Sequence, residues 1–278
     1  MADQKIDNLL NFAMDATPEE RRKSENLNVG YDSATRLWDV IVKYSGPESG
    51  LAGTGIQVVS LLGGYAVVTL PEAEIDAYSD RVQVEFMEKP KRLYFELFQA
   101  KGASCIRTVQ TGRNGLTGEG VLVGVVDSGV DYFHPDFRNA DGSSRILRLW
   151  DQNIQGNPPQ GYAAGTEYTK EEIDEALALG ENQGRRLVPS TDYSGHGTSV
   201  LGIAAWNGRA SDGVNQGVAY ESDLLVVKMG IPRENSFPRT TELIQGIDYL
   251  VRQALAMGRP MVINLSFGNN YGSHEPYN

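Results

Sequence analysis

The chain has 278 residues, with 25 Lys and Arg against 36 Asp and Glu, and a formal net charge of −11. Hydrophobic residues make up 40% and charged residues 22%, a composition that suits one large or two smaller folded domains and excludes disorder. The acidic charge argues against nucleic-acid and membrane-surface partners, because both are anionic and the sequence has no basic patch. Cys105 is the one cysteine, which excludes an intrachain disulfide and suggests a reduced structural thiol.

The start of the sequence lacks the basic residues and the unbroken apolar core of a secretory signal, so no export signal is visible and a cytoplasmic location is expected. The apolar runs at residues 121–126 and 261–265 have the length of strands. They are far shorter than the roughly 20 residues that span a bilayer.

Residues 38–100 are predicted to form a small α+β domain. Apolar runs predict strands, and a stretch after Pro71 is typical of a helix start. The mixed composition of residues 93–104 places a boundary near residue 100. The predicted elements are strands at 38–44, 63–70 and 82–87 and a helix at 72–78, and the predicted divisions of the chain are a leader segment at 1–37, the small domain at 38–100 and a second domain at 101–278.

The second domain is predicted to be α/β with a parallel sheet. Continuous runs rich in β-branched residues predict strands at 121–126, 223–229 and 261–265. Between the last two, residues 241–257 carry apolar side chains at helical spacing. A strand, a helix and a strand in succession indicate a parallel sheet. The stretch from the first strand to Thr191 is interpreted as a polar insertion with one helix, which starts at a capping box on Thr169.

Two side chains lie at positions typical of active-site residues. Asp127 directly follows the first buried strand, at the edge where open α/β sheets place their sites. His196 lies between two glycines and precedes the apolar run 200–206, so it is predicted to project from the first turn of a buried helix. The flanking glycines allow close packing against a substrate or another backbone.

Four motifs in order resemble those of the subtilisin-like serine proteases. The resemblance covers about residues 115–270. The motifs are Asp127-Ser128-Gly129, His134-Pro135-Asp136, Gly195-His196-Gly197-Thr198 and Asn264-Leu265-Ser266-Phe267-Gly268.

The resemblance implies a serine endopeptidase with a parallel-sheet catalytic domain. It implies that Asp127 orients His196, and that His196 accepts the proton of a serine nucleophile and returns it to the leaving amine. It also implies that Leu265, Ser266, Phe267 and Gly268 pair with an extended peptide or protein substrate.

The wording of these motifs is most similar to the germination proteases of spore-forming anaerobes. This implies that residues 38–100 act as a propeptide that helps the catalytic domain to fold, can be cut off and can stay bound as an inhibitor. Residues 98–101 are then a candidate cut region. The same resemblance makes a spore-associated location an alternative to the cytoplasm.

The family's nucleophile lies in a Gly-Thr-Ser-x-Ala box, preceded by an oxyanion Asn, and neither is present in these 278 residues. We therefore expect an incomplete catalytic domain that is inactive alone, with an exposed sheet edge beside residues 261–265 that favours association.

Other candidate site residues have structural interpretations. Ser266 follows a strand but lacks the Gly two positions before it that a nucleophile elbow needs. His134 is predicted to hydrogen-bond the backbone of its own turn. Asp136 resembles a calcium-binding position, yet residues 207–216 depart from the calcium pattern, so no metal or other cofactor is predicted. Asp192 and Asp131 are interpreted as a solvated loop acid and a turn acid.

Two alternatives to a protease were weighed. A binding or regulatory protein derived from a protease would do no catalysis, but such a protein would commonly have lost Asp127 or His196. A small-molecule hydrolase or dehydrogenase would need a nucleophile elbow or a phosphate loop, and Gly118, Gly120 and Gly124 precede or lie within a strand, where a dinucleotide fingerprint would follow one.

Overall fold

The computed structural model of the chain describes residues 5–24, 26–91, 94–95, 109–110, 115–231 and 238–268. Cys105 and the predicted cut region at 98–101 lie outside these residues. Among the described residues, no helix combines the length and the apolar character needed to cross a bilayer.

The N-terminal part of the chain forms a small antiparallel sheet. Its central strand β2 pairs with β4 on one side and with both β1 and β5 on the other, and β3 extends the sheet beyond β4. The strands are β1 (Tyr31–Asp32), β2 (Leu37–Tyr44), β3 (Gln57–Leu61), β4 (Tyr65–Pro71) and β5 (Val84–Glu88).

One face of this sheet packs against two short helices, α1 (Asn8–Asp15) and α3 (Ile75–Ser79), and a third, α2 (Pro18–Lys23), places Arg21 over the ring of Tyr31 in β1. The predicted leader segment takes part in the packing, because Leu10 is fully buried in the same cluster as Trp38 of β2. The structure therefore shows the predicted leader segment packed on the small sheet, a contact that the sequence analysis did not predict. The division of the chain into domains stays a prediction.

A second sheet has the strand order β11-β7-β10-β8-β9. The first four strands are parallel and β9 is antiparallel to β8. Every residue of β7 is buried, as expected for a strand covered on both faces. The strands are β7 (Leu122–Asp127), β8 (Ile146–Asp151), β9 (Thr166–Thr169), β10 (Asp223–Lys228) and β11 (Met261–Leu265).

Helices cover both faces of this sheet. Val123 and Val125 point to the cluster that contains Leu201, and Leu122 and Val126 point to the cluster that contains Leu250. Successive side chains of β7 thus alternate between the hydrophobic clusters on the two faces of the sheet. The helices are α4 (Lys170–Ala178), α5 (Glu181–Leu187), α6 (His196–Ala205) and α7 (Thr240–Met257).

The predicted α/β fold class is confirmed. The interpretation of the stretch between β7 and Thr191 was wrong. The stretch interpreted as a polar insertion with a single helix also contains β8, β9 and α5. The strand β8 escaped prediction because Arg148 interrupts its short apolar run and Arg145 directly precedes it. Within the helix predicted at 72–78, residues Glu72–Glu74 form a 3₁₀ turn and α3 follows.

A third, two-stranded sheet joins the segment after the small sheet to the C-terminal end of the described residues. Strand β12 (Phe267–Gly268) pairs in antiparallel register with β6 (Tyr94–Phe95), the segment that follows the small sheet.

Candidate active site

Asp127 ends β7, an interior strand of the large sheet between β11 and β10. Its neighbour in register on β10 is Lys228, and the preceding residue Val126 pairs with Leu265 of β11. The Asp127 side chain is fully buried. Burial of a carboxylate is unfavourable without hydrogen bonds, so the position must supply donors.

His196 supplies one of these donors. Its Nδ1 lies 2.8 Å from Asp127 Oδ1, and the imidazole is 6% exposed. The backbone N–H of Ser128 donates to the same oxygen at 2.7 Å. Burial raises the pKa of Asp127, while the hydrogen bonds from His196 and Ser128 oppose that rise. The other carboxylate oxygen, Oδ2, is buried without a hydrogen bond among the residues that the structure describes.

Local backbone geometry brings His196 to this position. Gly195, the residue before α6, adopts a left-handed conformation with φ 71°, which favours glycine because it has no Cβ. The chain can therefore turn sharply into α6 with His196 as its first residue. The sequence predicts His196 in the first turn of a helix from the apolar run that follows it, while the left-handed turn at Gly195 is added by the structure.

Asp192 is more than the solvated loop acid that the sequence suggested. Its carboxylate is half-buried and accepts hydrogen bonds from the Ser128 hydroxyl at 2.8 Å, from Gly195 N at 3.0 Å and from Thr198 N at 2.9 Å. Sequence analysis missed this role because the donors come together only in the fold. The position of Asp192 shortly before His196 in the sequence was the one signal that could have indicated this role.

The neighbouring turn is structural, as the sequence indicated. His134 Nδ1 accepts a hydrogen bond from Asp136 N at 3.3 Å, and its ring stacks on Trp206 at 5.2 Å between centroids. Asp136 Oδ1 accepts from Ala210 N at 2.7 Å. Asp131, interpreted as a turn acid, pairs with Arg185 at 2.8 Å. Within the described ranges, no three His, Cys, Asp or Glu side chains gather to hold a metal ion.

The predicted substrate strand lies next to the site. Leu265 ends β11, and Phe267 and Gly268 form β12. The hydroxyl of Ser266 accepts a hydrogen bond from the Asn264 amide at 2.9 Å. The imidazole and the carboxylate can carry out proton transfer, but a nucleophile must come from elsewhere.

Two family models match the chain. Residues 4–91 match the Csp protease B prodomain, and residues 118–277 match the subtilase family. The first match covers the small sheet with its helices, and the second covers the sheet that carries Asp127.

Known proteins with similar sequences are also subtilisin-like or serine proteases. The major intracellular serine protease of Bacillus subtilis is 29% identical over 60% of this chain and 40% of its own length. The subtilisin-like protease PopC of Myxococcus xanthus is 30% identical over 55% of this chain and 26% of its own length.

The structure of the Clostridium perfringens CspB protease matches 64% of this chain and 35% of that protein, with 36% identity and a TM-score of 0.54. The chain thus spans less than half the length of each of these three relatives. Because the subtilase family model covers more than half of its residues, the chain belongs to the subtilase family, and its N-terminal part matches the Csp protease B prodomain.

Proposed function

We propose that this chain carries the aspartate and the histidine of the catalytic triad of a serine endopeptidase. The observation that carries the proposal is the 2.8 Å contact between the buried side chains of His196 and Asp127 at the carboxyl edge of the parallel strands. When Nδ1–H donates to Asp127, Nε2 is the ring nitrogen that receives a proton. The carboxylate then stabilises the imidazolium that forms.

The proposed reaction is hydrolysis of a peptide bond through an acyl-enzyme. A serine hydroxyl attacks the carbonyl carbon while its proton moves to His196, and the imidazolium gives that proton to the leaving amine. Water then releases the acyl group by the same transfers. Because the 278 residues contain no Gly-Thr-Ser-x-Ala box, we propose that this polypeptide alone is inactive and that a further segment of the same protein supplies the serine.

The segment Leu265, Ser266, Phe267 and Gly268 is proposed to bind the extended substrate backbone. Support comes from β12, which already pairs with an extended segment, β6, in antiparallel register. This is the geometry of strand addition.

The direction of β6 supports a proposal for the first substrate of the site. The end of β11 lies beside Val126, so a strand antiparallel to β12 runs from Gly268 back towards Leu265 and Asp127. At Phe95 the backbone of β6 therefore runs towards the end of β11, which lies beside the proposed catalytic pair. We propose that the protein's own prodomain segment enters the site as a substrate and remains bound to it.

The test is peptide hydrolysis by the complete protein, including the serine box. Asp127→Asn and His196→Ala are expected to lower kcat by about 10⁴-fold with little change in melting temperature. His134→Asn is the matched control. It removes a second imidazole but keeps an acceptor for Asp136 N, so activity is expected to stay within twofold of wild type.

Equal activity of the His196→Ala and His134→Asn variants would contradict the proposal. A complete protein that binds peptides but hydrolyses none would instead favour the alternative, a non-catalytic binding or regulatory protein derived from a protease.

A further inference from the structure

The first turn of α6 has no cap of its own. The residue before the helix is Gly195, which has no side chain to accept a hydrogen bond, although the first N–H groups of a helix need acceptors from outside it. Three side chains provide these acceptors. The bonds are His196 N to Ser194 Oγ at 3.1 Å, Gly197 N to Ser128 Oγ at 3.0 Å and Thr198 N to Asp192 Oδ2 at 2.9 Å.

Asp192 connects all three acceptors. Its Oδ1 accepts a hydrogen bond from the hydroxyl of Ser128 at 2.8 Å, and the hydroxyl of Ser194 is shared between Ser128 Oγ at 2.8 Å and Asp192 Oδ1 at 3.2 Å. Its Oδ2 accepts from the hydroxyl of Thr198 at 2.7 Å in addition to the backbone N–H. One carboxylate therefore fixes the orientation of both serine hydroxyls that cap the turn carrying His196.

The same carboxylate also reaches the loop that follows Asp127. Ser128 is bound to Asp192 through its hydroxyl, and its own N–H donates to Asp127 Oδ1, the oxygen that His196 contacts. Asp127 is thus connected to Asp192 through Ser128. His196 is connected to Asp192 through its backbone N–H and Ser194.

Electrostatics favours this arrangement. A carboxylate at a helix N-terminus is stabilised by the dipole of the helix. Although its partial burial acts in the opposite direction, the hydrogen bonds from Thr198, Ser128 and Ser194 hold the pKa of Asp192 below its usual value. Asp192 therefore stays ionised over the neutral pH range and accepts from every donor around it.

We infer that Asp192 is a positioning residue that holds the Asp127 loop and the first turn of α6 in the geometry that gives the 2.8 Å contact between Asp127 and His196. This inference rests on the proposed function. Asp192 acts through Ser128 and the helix backbone, and it is not itself a catalytic residue.

The test is nuclear magnetic resonance of the 278-residue chain with Asp192→Asn. The amide has nearly the same shape as the carboxylate, but its NH₂ group turns a donor towards donors. The readout is the downfield proton resonance of the bond between His196 Nδ1 and Asp127. We expect this resonance to be lost through faster exchange of the proton with water.

Asp131→Asn is the matched control, because it removes the same charge from a nearby carboxylate whose side chain pairs with Arg185. It is expected to keep the resonance. If Asp192→Asn destabilises the chain but leaves the resonance as in wild type, Asp192 has a purely structural role and the inference is overturned.

If Asp192→Asn does not fold, Ser128→Ala decides the matter. It removes the hydroxyl between Asp192 and Gly197 N. A retained resonance in that variant also overturns the inference. These measurements read the geometry of the pair without any hydrolysis, so their failure is distinguishable from failure of the proposed catalytic function.

Discussion

At the scale of single residues, the contact of two backbones at Gly197 limits how closely α6 can approach the Asp127 loop. A Cβ at this position would lie 2.2 Å from the carbonyl oxygen of Gly129 and 3.0 Å from Asp127 Oδ1. Both neighbours are held in place, since one is backbone and the other belongs to the buried pair. A side chain at Gly197 would therefore push the helix away from Asp127.

We predict that Gly197→Ala lowers the free energy of unfolding by about 1–3 kcal/mol, the usual cost of overpacking. Alanine is otherwise favoured over glycine in helices by about 1 kcal/mol, so the direction of the change is informative. Urea denaturation provides the measurement. Ser199→Ala, at an exposed position on the same helix, is the control, and a Gly197→Ala variant as stable as this control would contradict the prediction.

The pH dependence of stability gives a second prediction for Asp192. Because the folded pKa of Asp192 lies below its usual value, its stabilising effect is present above the unfolded pKa of about 3.9 and is lost as the pH falls through the folded pKa. Asp192→Asn is therefore expected to cost about 1–2 kcal/mol at pH 7, as the loss of a helix cap does. The gap to wild type should close only in acid, and closure already near pH 6 would contradict this account.

The two residues of the buried pair could be predicted from the sequence, and the network around them could not. Asp127 ends a continuous apolar strand and His196 stands in a glycine-flanked turn, so both signals are local. Asp192 depends on contacts with Ser128 and Thr198. The contact to Ser128 spans 64 residues and exists only once the sheet has formed.

At the scale of elements, α7 joins the two sheets. One side of this helix packs on β7 and β10, and Val59 of β3 packs into the same cluster as Leu243 and Ile247. Polar contacts reinforce the junction, because Asp248 Oδ1 accepts a hydrogen bond from Leu62 N at 2.7 Å.

An ion pair lies at the start of α7. Arg239 contacts Asp39 of β2 at 2.9 Å, and on its other side it contacts Glu242 at 2.5 Å. Asp39 also accepts a hydrogen bond from Thr69 at 2.6 Å. The Arg239 guanidinium is largely buried between two carboxylates, a situation in which the loss of one partner is costly.

We predict that Asp39→Asn loosens the small sheet from α7. Breaking a buried ion pair costs about 3–5 kcal/mol, and a partly exposed pair such as this one is expected to cost less. Hydrogen exchange measured by mass spectrometry should show faster exchange in the β3–β4 hairpin and at the start of α7. Glu85→Gln removes the same charge from an exposed position of that sheet, and an identical exchange pattern in both variants would contradict the prediction.

The elements themselves were predictable where their patterns are continuous. Strands β7, β10 and β11 and helix α7 lie within two residues of their predicted bounds, because long apolar runs and helical spacing are strong signals. Strand β3 was not predicted, since its residues are mostly half-exposed and carry little alternation. Pairing with β4 makes it a strand.

At the scale of the whole molecule, β11 is the edge strand of the large sheet among the described residues. Val262 is 63% exposed and Leu265 is 44% exposed. An apolar edge strand is a template for pairing with another chain. The 278-residue chain is therefore expected to associate in solution.

Size-exclusion chromatography with light scattering tests this expectation. Val262→Lys should reduce association, because a charge on an edge strand opposes pairing. Val82→Lys adds the same charge at an exposed site on the small domain and should have no effect. A monodisperse, cooperatively melting wild-type monomer would contradict the prediction.

The measurement that tests the central claim most directly is the mass of the fragments that the complete protein, including its serine box, produces from itself. The account predicts one cut after Phe95, at or near residues 98–101, in wild type, and a single uncut chain in His196→Ala. Identical masses for the two proteins, whether both cut or both intact, would contradict the claim that Asp127 and His196 act on the segment that follows β6.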